Sequence, residues 1–375
     1  MPKTPFILTK LIEKSKFFYC QNKDFNTKHH IVVFESDDWG SIRMPRRNEW
    51  EDLLQLGYAV DKRPYERFDT LESSSDLEYL FEVLSRHKGA DGKHPIITAN
   101  MLMANPDFDR IEHNGLQEYY YEPIADTYTR YYGDARALDI MREGINAGVF
   151  FPQCHGREHF NVLQWMHKLQ EGDEDTLTAF RYGMCGIAPK THPEIGNQLM
   201  NALRAENEEE QIEIDKIVAE GLSLFEKQWG FKSKTFVAPC YCWSKQTEKT
   251  LFSNDVELIQ TSRKNKSAYK TPSQHFYTGE HSKSGVIYSI RNCQFEPSTN
   301  KECLNVGYLM KQIDNIFKQN KLVIFSTHRI NYVSGIDENN RCQTLKILDD
   351  FLTQLLRKYP DTIFIDSSKL LDIIH

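Results

Sequence analysis

Short apolar runs recur along the chain, and most are separated by segments whose apolar residues repeat every three or four positions. The runs are rich in β-branched residues, which favours buried strands, and the segments between them are typical of amphipathic helices. The predicted strands cover residues 31–34, 95–100, 149–153, 235–237, 256–259, 285–290, 322–325 and 362–365. Strands that alternate with helices predict parallel βαβ units in an α/β fold, and seven or eight strands are enough to close a barrel.

Two helical segments stand outside this alternation. Residues 6–19, within an N-terminal segment of residues 1–29, predict an amphipathic helix that packs on the fold or lies against a membrane surface, and packing is the commoner outcome. Residues from about 172 to 230 are helical and highly charged, and their acidic cluster suits a helix N-terminus. We interpret this block as a helical insertion in a single barrel domain of residues 30–375.

Composition narrows the possible partners and the compartment. The 375 residues carry a formal net charge of −7, which argues against a general nucleic-acid partner. The eight cysteines are spread thinly and include no C-x-x-C pair, unlike the dense cysteines of small secreted domains. We find no signal-peptide pattern and no apolar stretch long enough to span a bilayer. These features predict a cytoplasmic protein with reduced thiols and no transmembrane segment.

Residue types that carry chemistry follow three of the predicted strands. Asp37 and Asp38 come after the first strand, His155 and His159 after the third, and His328 after the strand at 322–325. The carboxyl ends of parallel strands gather the active site in α/β barrels, so we expect these side chains to converge. A lone histidine at a strand end is more often a structural residue, but three strand ends of this kind favour a functional site.

The spacing of these residues suggests a metal site, with structural alternatives. In a helix, His155 and His159 would lie on one face and could bind one zinc ion, although they could also be two unrelated histidines. Adjacent residues of an extended strand point in opposite directions, so Asp37 and Asp38 are expected to divide their roles: one binds the metal and the other acts as a base. The alternative is an Asp-rich turn without chemistry.

The order of these motifs resembles the polysaccharide deacetylases, the family that shares the NodB-homology domain. The resemblance rests on four motifs between positions 35 and 328, which read ESDDWG at 35–40, HGREH at 155–159, VAPCYCW at 237–243 and STH at 326–328. It implies a distorted (β/α)7 barrel and a divalent metal, usually zinc, bound by Asp38, His155 and His159. It also implies that Asp37 is the base and His328 the acid.

The chain departs from this family at two motif positions. The arginine of the third motif, which normally pairs with the base, would fall at Val237, and Arg291 beyond another strand is a candidate replacement. Gly156 stands where the family usually has a hydroxyl side chain. These departures leave a non-catalytic glycan-binding protein open as an alternative.

The resemblance implies an acetylated carbohydrate substrate that is attacked by metal-activated water. A backbone N–H near Cys240 or Tyr241 would bind the oxyanion, and the aromatic side chains nearby could stack on a sugar or simply pack at the rim. The candidate substrate-binding residues are Trp39, Pro239, Cys240, Tyr241, Trp243 and Arg291. Other hypotheses are a hydrolase of non-sugar amides or imides and, more distantly, a glycosidase that uses Asp37 and Glu296, which leaves the histidine pair unexplained.

Overall fold

A computed structural model describes the backbone of residues 6–374 and the side chains of residues 12–374. Its strands are β1 Ile31–Trp39, β2 Ile97–Leu102, β3 Ala104–Pro106, β4 Tyr121–Pro123, β5 Phe150–Gly156, β6 Thr235–Val237, β7 Leu258–Thr261, β8 Glu280–His281, β9 Ile287–Ile290, β10 Cys293–Gln294, β11 Val323–His328 and β12 Ile363–Phe364. Its α-helices are α1 Phe6–Lys23, α2 Arg47–Gln55, α3 Pro64–Phe68, α4 Ser74–Ser85, α5 Phe108–His113, α6 Ile124–Tyr132, α7 Arg136–Ala147, α8 Val162–Glu171, α9 Glu174–Arg181, α10 Glu208–Trp229, α11 Lys245–Ser253, α12 Val306–Phe317 and α13 Glu338–Lys358.

The main sheet is mostly parallel and runs β10-β11-β1-β2-β5-β6-β7-β9-β8, with β12 also paired to β1. Only β8 pairs in the antiparallel sense, with β9, while β3 and β4 form a separate antiparallel pair. The stretch 287–294 contains both β9, which pairs with β7, and β10, which pairs with β11. The parallel strands thus occupy seven positions if β9 and β10 are counted as one, which is the strand number expected of a distorted (β/α)7 arrangement.

The apolar runs form the core because helices cover the outer face of the sheet. Every residue of β1 is buried, as expected for a parallel strand covered on both faces. On the face that the helices cover, Phe34 stacks on Phe325 of the neighbouring strand with ring centroids 4.9 Å apart, and Phe325 packs edge-on to Phe351 of α13. Outside, α4 begins with a capping box in which Ser73 and Asp76 each accept a hydrogen bond from the other's backbone N–H.

The acidic block predicted as one insertion is divided in the structure. Helix α10 packs against β5 and α11, and it is the last helix between the parallel strands β5 and β6. Parallel neighbours need such a crossover, so α10 belongs to the helical layer of the fold. The rest of the block, α9 and the mostly irregular chain that follows it up to residue 207, lies between α8 and α10, and its being an insertion stays a prediction. The high charge of residues 172–230 does not distinguish α10 from the segment that precedes it.

Helix α1 contacts the rest of the fold near its C-terminal end. Cys20 is buried there, and the Asp24 carboxylate just beyond the helix accepts hydrogen bonds of 2.7 and 2.5 Å from Arg263. Phe18 and Tyr19 are 51% and 61% exposed, so contact with a membrane surface stays a prediction. The side chains of residues 6–11 in this segment lie outside the described residues, as do residues 1–5. No helix within residues 6–374 is long and apolar enough to cross a membrane.

Candidate metal and acid–base site

A bulge at the end of β1 brings both aspartates to one pocket. The register of β1 against β2 shifts between Ser36 and Trp39, and Asp38 has a left-handed backbone with φ of 76°. Neighbouring residues of a regular strand would point to opposite faces, and a bulge relieves this restriction. The expectation of opposite directions was therefore wrong, because Asp37 and Asp38 line the same cavity of about 250 Å³.

The two histidines also come together by a different route from the predicted helix. Residues 155–159 are not helical: β5 ends at Gly156, whose φ of 138° is rarely adopted by other residues. The chain turns there and brings His159 back beside His155, with ring centroids 5.0 Å apart. A glycine at this position suits the backbone conformation of the turn.

Asp38, His155 and His159 form a cluster with the geometry of a metal site. Asp38 Oδ1 lies 3.6 Å from His155 Nε2 and 3.3 Å from His159 Nε2, and the candidate ligand atoms all lie within 4.8 Å of one another. Asp38 Oδ1 and His155 Nε2 are buried without a hydrogen-bond partner. Such atoms are costly unless something binds them, and two imidazoles with one carboxylate suit zinc and similar divalent ions. The residues therefore fit a divalent metal.

Contacts behind the cluster orient its ligand atoms. His155 Nδ1 lies 2.7 Å from the carbonyl oxygen of Val237, and an N–H donated there leaves the Nε2 lone pair directed at the cluster. Burial lowers the pKa of His159 well below its usual range, so this ring is neutral and able to bind a metal. Arg43 Nη2 donates to Asp38 Oδ2 at 3.0 Å, which leaves Oδ1 facing the histidines.

Asp37 lies beside the cluster and is bound by Arg291. The guanidinium donates to both carboxylate oxygens, at 2.6 and 2.7 Å, and Asn100 donates to Oδ1 at 2.8 Å. Burial alone would raise the pKa of Asp37, but the Arg291 charge and its hydrogen bonds outweigh it and lower the pKa to about 2. Arg291 also donates to Glu35 at 2.7 Å, so it is held between two carboxylates.

His328 lies close to Asp37, at the end of β11. Its Nε2 is 3.8 Å from Asp37 Oδ2, and its Nδ1 is 2.5 Å from a carboxylate oxygen of Glu296. Burial acts to lower the pKa of His328, but Glu296, with smaller effects from Asp37 and Asp38, raises it to about 9. The imidazole is therefore protonated at neutral pH and can donate a proton into the pocket.

The turn after β6 supplies a candidate oxyanion donor. Cys240 and Tyr241 both have left-handed backbones, with φ of 56° and 54°, and both line the 250 Å³ cavity. The Tyr241 N–H donates to the carbonyl oxygen of Ala238 at 2.8 Å, so it is used within the turn. This leaves the N–H of Cys240 as the candidate. Cys240 and Cys242 are both free thiols.

Four of the predicted substrate-binding residues do not line this cavity. Trp39 and Trp243 are each 1% exposed, and Pro239 and Arg291 are also buried. Trp39 packs on Phe150 and Tyr332, and Trp243 packs on Phe276, so neither indole can stack on a sugar. The prediction for these four positions was wrong, because sequence proximity to a motif does not show which face of the backbone a side chain occupies. Cys240 and Tyr241 do line the cavity.

Three cavity-lining residues outside the four motifs were missed from the sequence: Arg43, Tyr65 and Met200. The Tyr65 ring lies edge-on to His328 with centroids 5.7 Å apart, and Arg43 lies over the Tyr65 ring at 5.3 Å. None of the three belongs to a recognisable motif, and each lies on a segment that only the tertiary fold brings over the strand ends. A residue pattern offered no signal for them.

Comparisons with known proteins give structural likenesses only. No family model and no curated protein matches the chain. It is similar to a putative polysaccharide deacetylase from Mycobacterium smegmatis (TM-score 0.41, 12% identity, 93% of this chain and 91% of that one). It is also similar to a probable polysaccharide deacetylase from Pseudomonas aeruginosa PAO1 (TM-score 0.46, 7% identity, 92% and 90%).

A 4-alpha-glucanotransferase from Thermococcus litoralis is also similar, with a TM-score of 0.43 and 10% identity over 92% of this chain. This chain spans only 40% of that enzyme. The similar structures thus include polysaccharide deacetylases, the family whose motifs the sequence resembles. With these TM-scores below 0.5, the likeness assigns no activity, and a function has to be argued from the site.

Proposed function

We propose that this protein is a metal-dependent hydrolase that removes acetyl groups from an acetylated carbohydrate. One observation carries the proposal: a carboxylate bound by arginine and an imidazole bound by glutamate lie beside a buried Asp-His-His cluster in one pocket. Asp37 is the base in this assignment and His328 the acid. A metal site beside a base and an acid is suited to hydrolysis of an acyl group.

The residues divide the reaction as follows. A divalent ion on Asp38, His155 and His159, for which we propose zinc, would polarise the acyl carbonyl and make water more acidic. Asp37 accepts the proton of the attacking water, and the N–H of Cys240 donates a hydrogen bond to the developing oxyanion. His328 then gives its proton to the leaving group. An amine is a poorer leaving group than an alcohol, so amide cleavage depends more on this last step.

Arg291 favours a catalyst over a non-catalytic glycan-binding protein. The doubt about catalysis came from the absence of an arginine at Val237, and Arg291 supplies a guanidinium to the same carboxylate from a different strand. The glycosidase hypothesis is less favoured, because Glu296 is used to bind His328 and Asn331 and is 7% exposed. It also leaves the Asp-His-His cluster without a role.

The decisive experiment measures metal binding and acetate release in the same preparations. After loading with zinc and desalting, we expect the protein to retain a stoichiometric ion and to release acetate from acetylated sugars. Asp38→Asn and His155→Ala should lose both properties. His167→Ala is a matched control, because this histidine is 71% exposed and pairs with Glu171 on its own helix. Absence of bound metal, or full activity in His155→Ala, would contradict the proposal.

A substrate panel separates the remaining alternatives. Activity confined to small linear or cyclic amides would favour the non-sugar C–N hydrolase, whereas acetate release from acetylated sugars favours the deacetylase. Asp37→Asn removes the base and keeps the shape of the side chain. Tight sugar binding with no turnover in either the wild type or Asp37→Asn would instead support a glycan-binding protein.

A further inference from the structure

Helix α1 is attached to the fold along one of its sides. Its inner positions, Glu13, Cys20 and Asp24, are spaced so that they share a side of the helix and of the turn that ends it. Cys20 is buried, Glu13 pairs with Lys264, and Asp24 pairs with Arg263. Glu13 and Asp24 are the acidic residues of positions 1–28, so the attachment to the fold uses both of them.

The outer side of α1 is apolar as well. Ile12, Phe18 and Tyr19 are all exposed, and with Ser15 and Asn22 they recur every three or four positions along the helix. A surface helix that only packs on its own fold usually carries polar and charged residues on the outer side. Packing on this protein therefore does not account for the outer side of α1.

Lysines border this outer apolar stripe. The Lys14 ammonium lies 5.9 Å from the centroid of the Phe18 ring, and the Lys23 ammonium lies 5.9 Å from that of Tyr19. Residues 1–28 contain six lysines and two acidic residues, an excess of four positive charges, in a chain whose net charge is −7. Because both acidic residues are paired with cations of the rest of the fold, the positive charge of this segment is available to an anionic partner.

An apolar stripe bordered by lysines is the pattern of a helix that lies in the surface of a membrane. The apolar side chains enter the boundary between headgroups and acyl chains, while the lysines keep their ammonium groups in water beside the headgroups. We propose that α1 docks this protein on an anionic membrane surface through Ile12, Phe18 and Tyr19. Lys14 and Lys23 contact the anionic headgroups. The charge favours this partner over a second copy of α1, because two copies would bring their lysines together.

The test is co-sedimentation of the full-length protein with vesicles of phosphatidylcholine alone and of phosphatidylcholine mixed equally with phosphatidylglycerol. We expect the protein to bind the anionic vesicles and to bind the neutral vesicles much more weakly. Salt should release it, because the screening length falls to about 3 Å at 1 M salt. Equal binding to the two kinds of vesicle, or binding to neither, would overturn the proposal. A stable dimer that forms through α1 and does not bind vesicles would overturn it in favour of a second copy.

Two double variants measure the apolar and the electrostatic contributions. Phe18→Ser with Tyr19→Ser should weaken binding to anionic vesicles at least about tenfold, because two exposed aromatic side chains no longer enter the apolar boundary. Lys14→Gln with Lys23→Gln should weaken it roughly 30-fold, since each lysine near an anionic surface strengthens binding about fivefold. All four side chains are exposed, so both variants should fold, which circular dichroism checks.

Exposed residues of α10 and α11 supply the matched controls. Ile212→Ser removes an exposed apolar side chain, and Lys227→Gln with Lys249→Gln removes two exposed lysines. Both controls should bind anionic vesicles as the wild type does. Wild-type binding by both α1 variants, or an equal loss of binding in the controls, would contradict docking through α1. The assay needs neither metal nor sugar, so its outcome is independent of the proposed hydrolase activity.

Discussion

Arg291 donates hydrogen bonds to both carboxylate oxygens of Asp37 across a separation of 254 residues in the chain. The resemblance to polysaccharide deacetylases places such an arginine at position 237, on β6. In this chain Val237 contributes only its carbonyl oxygen, which lies 2.7 Å from His155 Nδ1. Arg291 reaches the carboxylate from beyond β9 instead, and it is held there by Glu35, Gln260 and Tyr241.

We expect Arg291→Met to abolish most activity, because a buried carboxylate without its cation is a poor candidate for an ionised base. The fall in kcat/KM should be about 10²–10⁴-fold, the usual contribution of a general base. Arg291→Lys should recover part of the loss, since it keeps the charge but not the paired hydrogen bonds. Urea unfolding must accompany the kinetics, because unpaired Asp37 and Glu35 would destabilise the fold by roughly 3–5 kcal/mol. Unchanged kcat/KM in folded Arg291→Met would refute this role.

The pH dependence of activity should report the pair His328 and Glu296. His328 can donate a proton only below its pKa, so activity should be lost as the pH rises through about 9. Glu296→Gln removes the charge that raises this pKa, so the basic limb of kcat/KM should move to lower pH. Profiles of both proteins, measured over the same buffers, test the shift. A basic limb that stays in place in Glu296→Gln would show that His328 is not the acid.

Arg43 should strengthen metal binding by orienting Asp38. Its hydrogen bond of 3.0 Å to Oδ2 leaves Oδ1 free to face the histidines. Loss of such a supporting contact typically weakens metal binding about 10–100-fold, and we expect this for Arg43→Met by competition with a chelating dye. Arg47→Met is the control, because this exposed arginine pairs with Glu51 on the surface. Equal zinc affinity in Arg43→Met and the wild type would rule out the orienting role.

Trp39 should contribute to stability and not to substrate binding. Its indole N–H donates to Ser36 at 2.9 Å within the core, and the side chain is 1% exposed. Trp39→Phe is expected to lower the free energy of unfolding by roughly 1–3 kcal/mol and to leave KM for an acetylated sugar unchanged. Denaturant unfolding and initial-rate kinetics measure the two quantities. A raised KM with unchanged stability would instead support contact with the sugar.

Much of the fold could be predicted because its signals are local. The buried run at 31–34 became β1, and the cap residues before position 77 became the capping box of α4. The division of residues 172–230 could not be predicted, since α10 differs from its neighbours in what it packs against and not in its charge. The bulge at Asp38 and the turn at Gly156 could not be predicted either, because the pattern of a strand does not show where its register shifts.

The sequence by itself determined the alternation of strands and helices, and it placed the chemical residue types near the carboxyl ends of strands. Apolar periodicity and the order of the motifs along the chain were sufficient for both. The strands β1, β5 and β11 extend further than predicted and include Asp37, Asp38, His155 and His328. Only the tertiary structure decided which of these side chains share a pocket, that Arg291 binds Asp37, and that Tyr65 and Met200 line the same cavity. Those relationships join residues that are distant in sequence, and they depend on backbone turns and packing that no local pattern specifies.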